Sequence, residues 1–426
     1  MKRILLSLLL FAAFLPLRAQ ITLDECIRLA EENYPLIRRY DLVSKLSELN
    51  ISEVNKSWLP QMNVYGQATI QNLVPSFPET LTGILDKLGT KMDGLNRFQY
   101  KVGVDLSQTV WDGGVSKTRR EILKAEAEVN KAEIDSRMYE VRKQIENLFF
   151  AALLSDAQVR QTELSARLLE SNCDRLKAML ANGVAMQSDV DMVEARLLEV
   201  RQHLVAARGT HRNYLDLLGL FIGKPLQDTV LVVPSAVRPD SRECLRPELK
   251  AIDARVRADR SALNGIKADL MPKIGFFAQA YYGYPGFDYF KSMSDCNPGF
   301  NVIGGVKISW NVGALYTRRD RMDKLRLSSL CAENDRDIFL FNNNIEQQTS
   351  NSKIEEIEKI MADDSRIVEL RGSVRKAAES QLENGVIDAT SLLDKITAES
   401  QASLTQAYHG IQRIQYIYQL KYTLNQ

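Results

Sequence analysis

Residues 61–71, QMNVYGQATIQ, alternate in character. Met62, Val64, Gly66, Ala68 and Ile70 are apolar or small, whereas Asn63, Tyr65, Gln67, Thr69 and Gln71 are polar or amphipathic. A period of two belongs to a strand with two unlike faces. Three more stretches behave the same way. Residues 271–283 read MPKIGFFAQAYYG. Val102, Val104, Leu106 and Val110 oppose Lys101, Asp105, Ser107 and Thr109. Phe300, Val302, Val306, Ile308, Trp310 and Val312 oppose Asn301, Lys307, Ser309 and Asn311. Each stretch reaches the roughly 9–11 residues that a tilted strand needs to cross a bilayer.

Most of the remaining chain follows a helical period. Met138, Val141, Ile145, Leu148, Ala152, Val159, Ala166, Leu169, Cys173, Leu176 and Leu180 share one heptad register, with Ser155 and Thr162 at the intervening positions. That is a coiled-coil seam whose small residues allow close approach. Between Gly114 and Asn182 there is neither proline nor glycine, which predicts a helix about 100 Å long. Arg318–Glu383 is similar, with Gly372 as its sole breaker. Both rods end at Asn-Gly, where glycine can take the left-handed conformation that closes a helix. A second long helix then returns, from about Met186 to Leu218 and from about Thr390 to Tyr422. Helices this long need lateral partners for their apolar stripes.

The chain is written twice. Pro35 and Pro60 recur as Pro247 and Pro272, both 212 residues on, and each second proline opens an alternating strand. Asn182-Gly183-Val184 recurs as Asn384-Gly385-Val386 at an offset of 202. The change of offset falls between the two strands of each half, so the first half carries the longer loop there. The predicted division is a signal peptide over 1–19, then a first repeat over 20–222 with β-hairpin 61–111 and helical hairpin 115–220. A linker over 223–240 with a short extended run at Val230–Val233 follows. The second repeat covers 241–426, with β-hairpin 273–312 and helical hairpin 316–424.

Four amphipathic strands are too few to enclose a lumen, and open strand edges cannot sit in lipid. The strands must therefore join those of further copies, apolar face to lipid and polar face to a water-filled channel. A soluble sandwich is the competing reading. The tryptophans favour the membrane. Trp58 precedes the first strand, while Trp111 and Trp310 end the second and fourth. In an up-and-down arrangement all three share the helix-proximal side, as an interfacial girdle would. Tyr282 and Tyr284, with neighbouring aromatics, could supply the opposite girdle.

Lys2 and Arg3 precede an apolar run from Ile4 to Pro16, ending near Ala19. This predicts a secretory signal cleaved before Gln20. Glu25 before Cys26 is unsuited to lipid attachment, so no lipid anchor is expected. No later stretch predicts a membrane-spanning helix. Net charge is +1 and there are only three histidines, His203, His211 and His409, which disfavours nucleic-acid binding and a histidine metal centre. The five cysteines lack CxxC spacing and read as packing residues. No nucleophile–base pair or phosphate loop is evident; no enzyme activity and no cofactor are expected.

The opening TLDECIRLAEENYPLI, the strands LPQMNVYGQ and MPKIGFFAQ, the junctions TVWDGG and SWNVGA, and the tips NGVAMQSDV and NGVIDATSLLD together resemble the TolC-like outer-membrane factor family. The order and duplication of these pieces carry the resemblance over nearly the whole chain after residue 19. It implies a mainly α protein with membrane β. Each protomer would contribute four transmembrane strands to a trimeric twelve-stranded barrel, continued by long antiparallel coiled-coil helices as a periplasmic tunnel. It also implies an outer-membrane exit duct of a tripartite efflux pump, passive and gated at the helix tips. The implied partners are two further copies, a periplasmic adaptor, an inner-membrane transporter and outer-membrane lipid, without nucleic acid. A type I protein-secretion duct and a non-conducting envelope stalk are the alternatives.

In the family, acidic residues after the second tip narrow the entrance. By register Asp394 matches one such position, Ser391 stands at the other, and Ile387 replaces the family's basic latch residue. Asp388, Asp189 and Asp191 are further gate candidates, each equally readable as a helix cap or a solvated charge. Asp189 in particular suits an N-cap. Asn182, Gly183, Val184, Asn384, Gly385 and Val386 are candidates for docking the adaptor, since glycine permits close backbone approach. The cargo is not readable from the chain.

Overall fold

A computed structural model describes residues 20–89, 92, 94–227, 229–235, 237–240 and 243–425. The expected signal peptide lies outside these residues. In chain order the elements are β1 (Gln20–Ile21), α1 (Leu23–Asn33), a 3₁₀ turn (Pro35–Ile37), α2 (Arg38–Lys56), β2 (Gln61–Ile70), α3 (Glu79–Lys87), β3 (Phe98–Trp111), α4 (Val115–Ala181) and α5 (Gln187–Ile222). Then come β4 (Val230–Leu231), α6 (Pro247–Asp269), β5 (Lys273–Tyr284), α7 (Tyr289–Asp295), β6 (Gly299–Ser309), α8 (Ala314–Glu383) and α9 (Ala389–Leu424). The chain forms two compact units, and each takes segments from both sequence halves. One comprises residues 42–131 and 252–333; the other comprises residues up to 41, 132–251 and 334 onward.

The first of these units is built on a four-stranded antiparallel sheet in the order β2-β3-β5-β6. Its register keeps the two faces apart. Met62 lies opposite Leu106, Val64 opposite Val104 and Ile70 opposite Phe98. Val104 continues onto Ala280, and Phe276 onto Val306. The result is an apolar face interrupted by Gln108, which lies opposite Phe276, and it is exposed: Met62 is 70 % exposed, Ile70 83 % and Ile308 70 %. The other face holds Asn63 opposite Asp105, Gln67 opposite Lys101 and Asp105 opposite Gln279. A soluble sandwich would bury its apolar face; here that face stays bare. Strand β6 stops at Ser309, so Trp310 and Val312 lie beyond the alternation expected of them. Trp310 turns its indole N–H to the Leu270 carbonyl at 2.9 Å.

Strand-to-helix turns explain the junction glycines. Asp112 caps α4, its carboxylate accepting from the amides of Gly114 (2.9 Å) and Ser116 (2.6 Å). Gly113 and Gly114 both have positive φ, 71° and 90°. A β-carbon on Gly113 would lie 2.3 Å from that of Met271, whereas one on Gly114 would meet open space.

The second unit is helical. Thr22 caps α1, and its residues Leu23, Cys26, Ile27 and Ala30 form one buried stripe. That stripe packs on Ile145, Phe149, Phe150 and Leu218 of α4 and α5. Burial pushes the Cys26 thiol up to about 12. Cys26 and Cys173 are core residues, whereas Cys296 and Cys331 are exposed; all five cysteines are free. The packing role expected of them therefore holds only where a helix face is covered. Gln20–Ile21 pairs in parallel with Val230–Leu231. The α4 seam is buried as its heptads predict, from Met138 through Ile145 and Ala152 to Leu176. α8 passes unbroken through Gly372, whose missing side chain leaves room for the Glu399 carboxylate.

Two buried charged sites hold this unit. The Arg246 guanidinium lies 4.8 Å from the Tyr422 ring centre, 4.9 Å from Phe339 and 5.6 Å from Tyr139, and pairs with Glu248. Such stacking suits the planar cation of arginine. Leu245 exchanges hydrogen bonds with Leu424 and Asn425, so the start of α6 is tied to the end of α9. Glu146 is buried and pairs with Arg142 at 3.2 Å; burial nonetheless raises its carboxyl to about 7.

Two outcomes are expected. Gly113→Ala incurs the left-handed backbone cost of about 1 kcal/mol and a clash worth roughly a further 1–3 kcal/mol, while Gly114→Ala incurs only the former. The first variant should therefore unfold well below the second in a thermal melt, and equal midpoints would refute the clash. The Glu146 carboxyl, at 4.5 in a free chain, holds its proton longer when folded. Its contribution then weakens the fold as pH rises through that window towards about 7, by up to ~3 kcal/mol. Urea midpoints should fall from about pH 5 to pH 8, and Glu146→Gln should remove most of that fall.

Candidate functional site

The two helical hairpins end in matching tips. Gly183 (φ 74°) follows α4 and Gly385 (φ 66°) follows α8. At the first, the Gly183 amide donates to Leu180 O at 2.9 Å and Val184 N to Met179 O at 2.9 Å. At the second, Gly385 N donates to Leu382 O at 3.0 Å and Val386 N to Gln381 O at 2.9 Å. Both are Schellman closures, which require the left-handed residue. Asn182 and Asn384 add side-chain donation to Ala178 O and Ser380 O, at 2.9 and 2.7 Å. Nothing stands within 4 Å of where a β-carbon on either glycine would be. Val184 and Val386 are 63 % and 69 % exposed. The docking candidates thus form two open, apolar-tipped turns.

The returning helices start with complementary halves of one capping arrangement. In α9 the N-cap is Asp388, and its carboxylate accepts from Ser391 N at 2.9 Å. Met186 holds the corresponding place in α5, and Asp189 stands where Ser391 does. Asp189 is therefore not the N-cap. It sits at the third helical position and accepts from Met186 N at 3.1 Å. Either arrangement satisfies one amide that the helix start leaves unpaired. Hydrogen bonds from Ser391 hold the Asp388 carboxyl below the usual range. Asp191 accepts from Gln187 at 2.7 Å. Asp394 is exposed, one turn further along α9, and has no hydrogen bond or ion pair among the described residues.

Contacts between the tips were not visible in the sequence. Leu176, Val190 and Val193 share a buried cluster with Leu382, Ala389 and Leu392. Arg175 pairs with Glu383 at 2.7 Å, joining α4 to α8. Thr390 and Met192 touch at 3.1 Å. The repeat register holds the only signal for this pairing, since it sets the two tips at the same height along their rods. The aromatic candidates fall into two groups. Trp111 and Trp310 are exposed and Trp58 half-buried, all at the end of the sheet where the long helices begin. Tyr282 is exposed on the apolar face, but Tyr284 is buried with Leu95 and Met293 and accepts from Asn96 N at 2.8 Å. No described helix is long and apolar enough to cross a membrane, and no described group of three His, Cys, Asp or Glu could hold a metal.

Residues 26–220, essentially the first repeat, match the family model of the outer membrane efflux protein. Over that stretch, a little under half of the chain, the sequence is similar to that family. The fold is shared with solved outer-membrane channels. The outer membrane protein VceC from Vibrio cholerae is 13 % identical with a TM-score of 0.64, covering 94 % of this chain and 95 % of that one. The Campylobacter jejuni CmeC outer membrane channel is 11 % identical with a TM-score of 0.67, covering 94 % and 85 %. The Neisseria gonorrhoeae MtrE outer membrane channel, in its open state, is 13 % identical with a TM-score of 0.64, covering 94 % and 88 %. No curated protein sequence matches the chain. The similarity to solved structures concerns the fold, and the roles of the tip residues have to be argued from their own geometry.

Substitutions at Asp388 separate a capping role from a gating one. Asp388→Ala should increase amide exchange at residues 389–392, because the cap on Ser391 N is lost; Asp388→Asn should preserve protection, because its amide oxygen still accepts. For the wild type, the cap contribution is present above the normal carboxylate pKa of 3.8 and fades as pH falls through the lower folded value. If Asp388→Asn nevertheless alters conductance, the charge itself acts at the entrance.

Proposed function

We propose that the chain forms a homotrimeric exit duct of a tripartite efflux pump. The observation that carries the reading is the sheet: two free edges, one largely apolar, exposed face and one polar face. Three copies would supply twelve strands, pair every edge and enclose a polar lumen, as lipid requires. Helix surfaces support the need for partners. Ile338, Phe341 and Ile345 on α8 and Leu198 and Val205 on α5 are exposed at heptad-like spacing. The repeat boundaries, secretory signal and absence of a lipid anchor set out above belong to this proposal.

The trimer conducts passively and is closed at the paired tips. Asp394 is the first gate candidate because its carboxylate is free, whereas Asp388 and Asp189 are engaged in helix starts. Three such carboxylates converging on an axis would repel one another and attract cations. The periplasmic adaptor docks on the two open glycine turns, with Val184 and Val386 as apolar contacts; an inner-membrane transporter supplies the energy.

Purified, detergent-extracted protein should run as a heat-modifiable trimer and give small conductance steps in a planar bilayer. Asp394→Ala should raise the step size several-fold by loosening the entrance. Folded trimers that stay silent as wild type and as Asp394→Ala would support a non-conducting stalk instead.

A further inference from the structure

We infer that the sheet's polar face makes the membrane part of the duct select anions, and that Lys273 and Lys307 set this preference. The inference rests on the duct reading above. The register places every charged residue of the polar face. β2 contributes Asn63, Tyr65, Gln67 and Thr69, none of them a carboxylate or a cation. β3 contributes Lys101 and Asp105, β5 contributes Lys273, and β6 contributes Lys307. Three lysines therefore face one aspartate.

The aspartate offsets one of the three and leaves two uncompensated. Gln279 donates to Asp105 at 2.8 Å and to Tyr65 OH at 2.9 Å. Lys101 lies over the rings of Tyr65 and Tyr281, at 5.6 and 5.8 Å from their centres. Lys273 and Lys307 have no ion pair among the described residues. Lys273 is opposite Ser309 and Lys307 opposite Gly275, so the two are diagonal neighbours, roughly 7 Å apart at the backbone. They stand at the end of the sheet from which the long helices lead. Two carboxylates flanking that end of the sheet are committed: Asp112 caps α4, and Asp269 pairs with Arg321 at 3.2 Å.

Next to this cationic pair the same face carries an apolar step. Phe277 lies over Gly305, where an added β-carbon would be 3.1 Å from the ring. A lysine pair beside a half-buried aromatic ring suits an anion with an apolar body, such as an amphiphilic carboxylate or sulfonate. In a closed pore with low-dielectric walls, uncompensated cations of this kind concentrate anions. The tip carboxylates would act in the opposite sense at the far end of the long helices, so the two charge sets are separable by mutation.

The test is the reversal potential of single channels in a KCl gradient, measured in the Asp394→Ala background so that the tip does not dominate. Chloride should permeate better than potassium. Lys273→Gln with Lys307→Gln should lower that permeability ratio at least about three-fold, Lys→Arg at both should preserve it, and Lys307→Glu should shift it towards potassium. A conducting trimer that prefers potassium, or whose ratio ignores these substitutions, overturns the inference while leaving the duct intact. Folded trimers without conductance overturn the duct reading and this inference with it.

Discussion

A strand edge facing hydrocarbon has no solvent to satisfy its amides and carbonyls, and each unpaired group there costs several kcal/mol. In the proposed duct β2 and β6 would both present such edges, and between them lies a sheet whose apolar side chains are exposed. The remaining architecture answers to this constraint. In the proposed trimer, further copies of the chain would close the sheet and give the polar face an interior. Neither the glycine-rich junctions nor the tryptophans at the helix-joined end would be needed by a sandwich that buried its own apolar side.

The helical unit solves a different problem. A helix of 67 or 70 residues offers far more apolar stripe than one antiparallel partner can cover. Part of the stripe is covered within the chain: Ile145 and Phe149 under α1, Leu176 between the tips. The rest, such as Phe341 on α8, is exposed. Arg246 fastens the second repeat to the end of the chain through stacked rings instead of aliphatic packing. The guanidinium can be buried there because Glu248 and the ring faces replace its water.

Charge is distributed by position along the chain. Carboxylates gather where helices begin at the tips, and three of them meet backbone or side-chain donors there: Asp388, Asp189 and Asp191. Uncompensated lysines gather on the sheet. A helix start recruits acidic residues for its own unpaired amides, so their presence does not by itself indicate a gate. Asp394 differs because it performs no such service. That distinction depends on one turn of helix, and only the hydrogen-bond pattern reveals it.

The amino-acid sequence by itself determined most of the elements, though not α3 and α7, which lie in the inter-strand connections that it reads as loops. Alternation at Met62–Ile70, the heptads from Met138 to Leu180, the paired Asn-Gly turns and the doubled prolines are local, periodic signals, and each is enforced by backbone geometry over a few residues. Tertiary structure decided what those signals could not carry. Tyr284 lies on the predicted face yet is buried, because residues from two loops close over it. Asp189 moves from the cap to the third helical position, because Met186 starts the helix. The compact units cut across both repeats, because burial groups segments by proximity in space and ignores their ancestry in the chain. Periodicity reports which face a residue is on; what covers that face depends on residues hundreds of positions away.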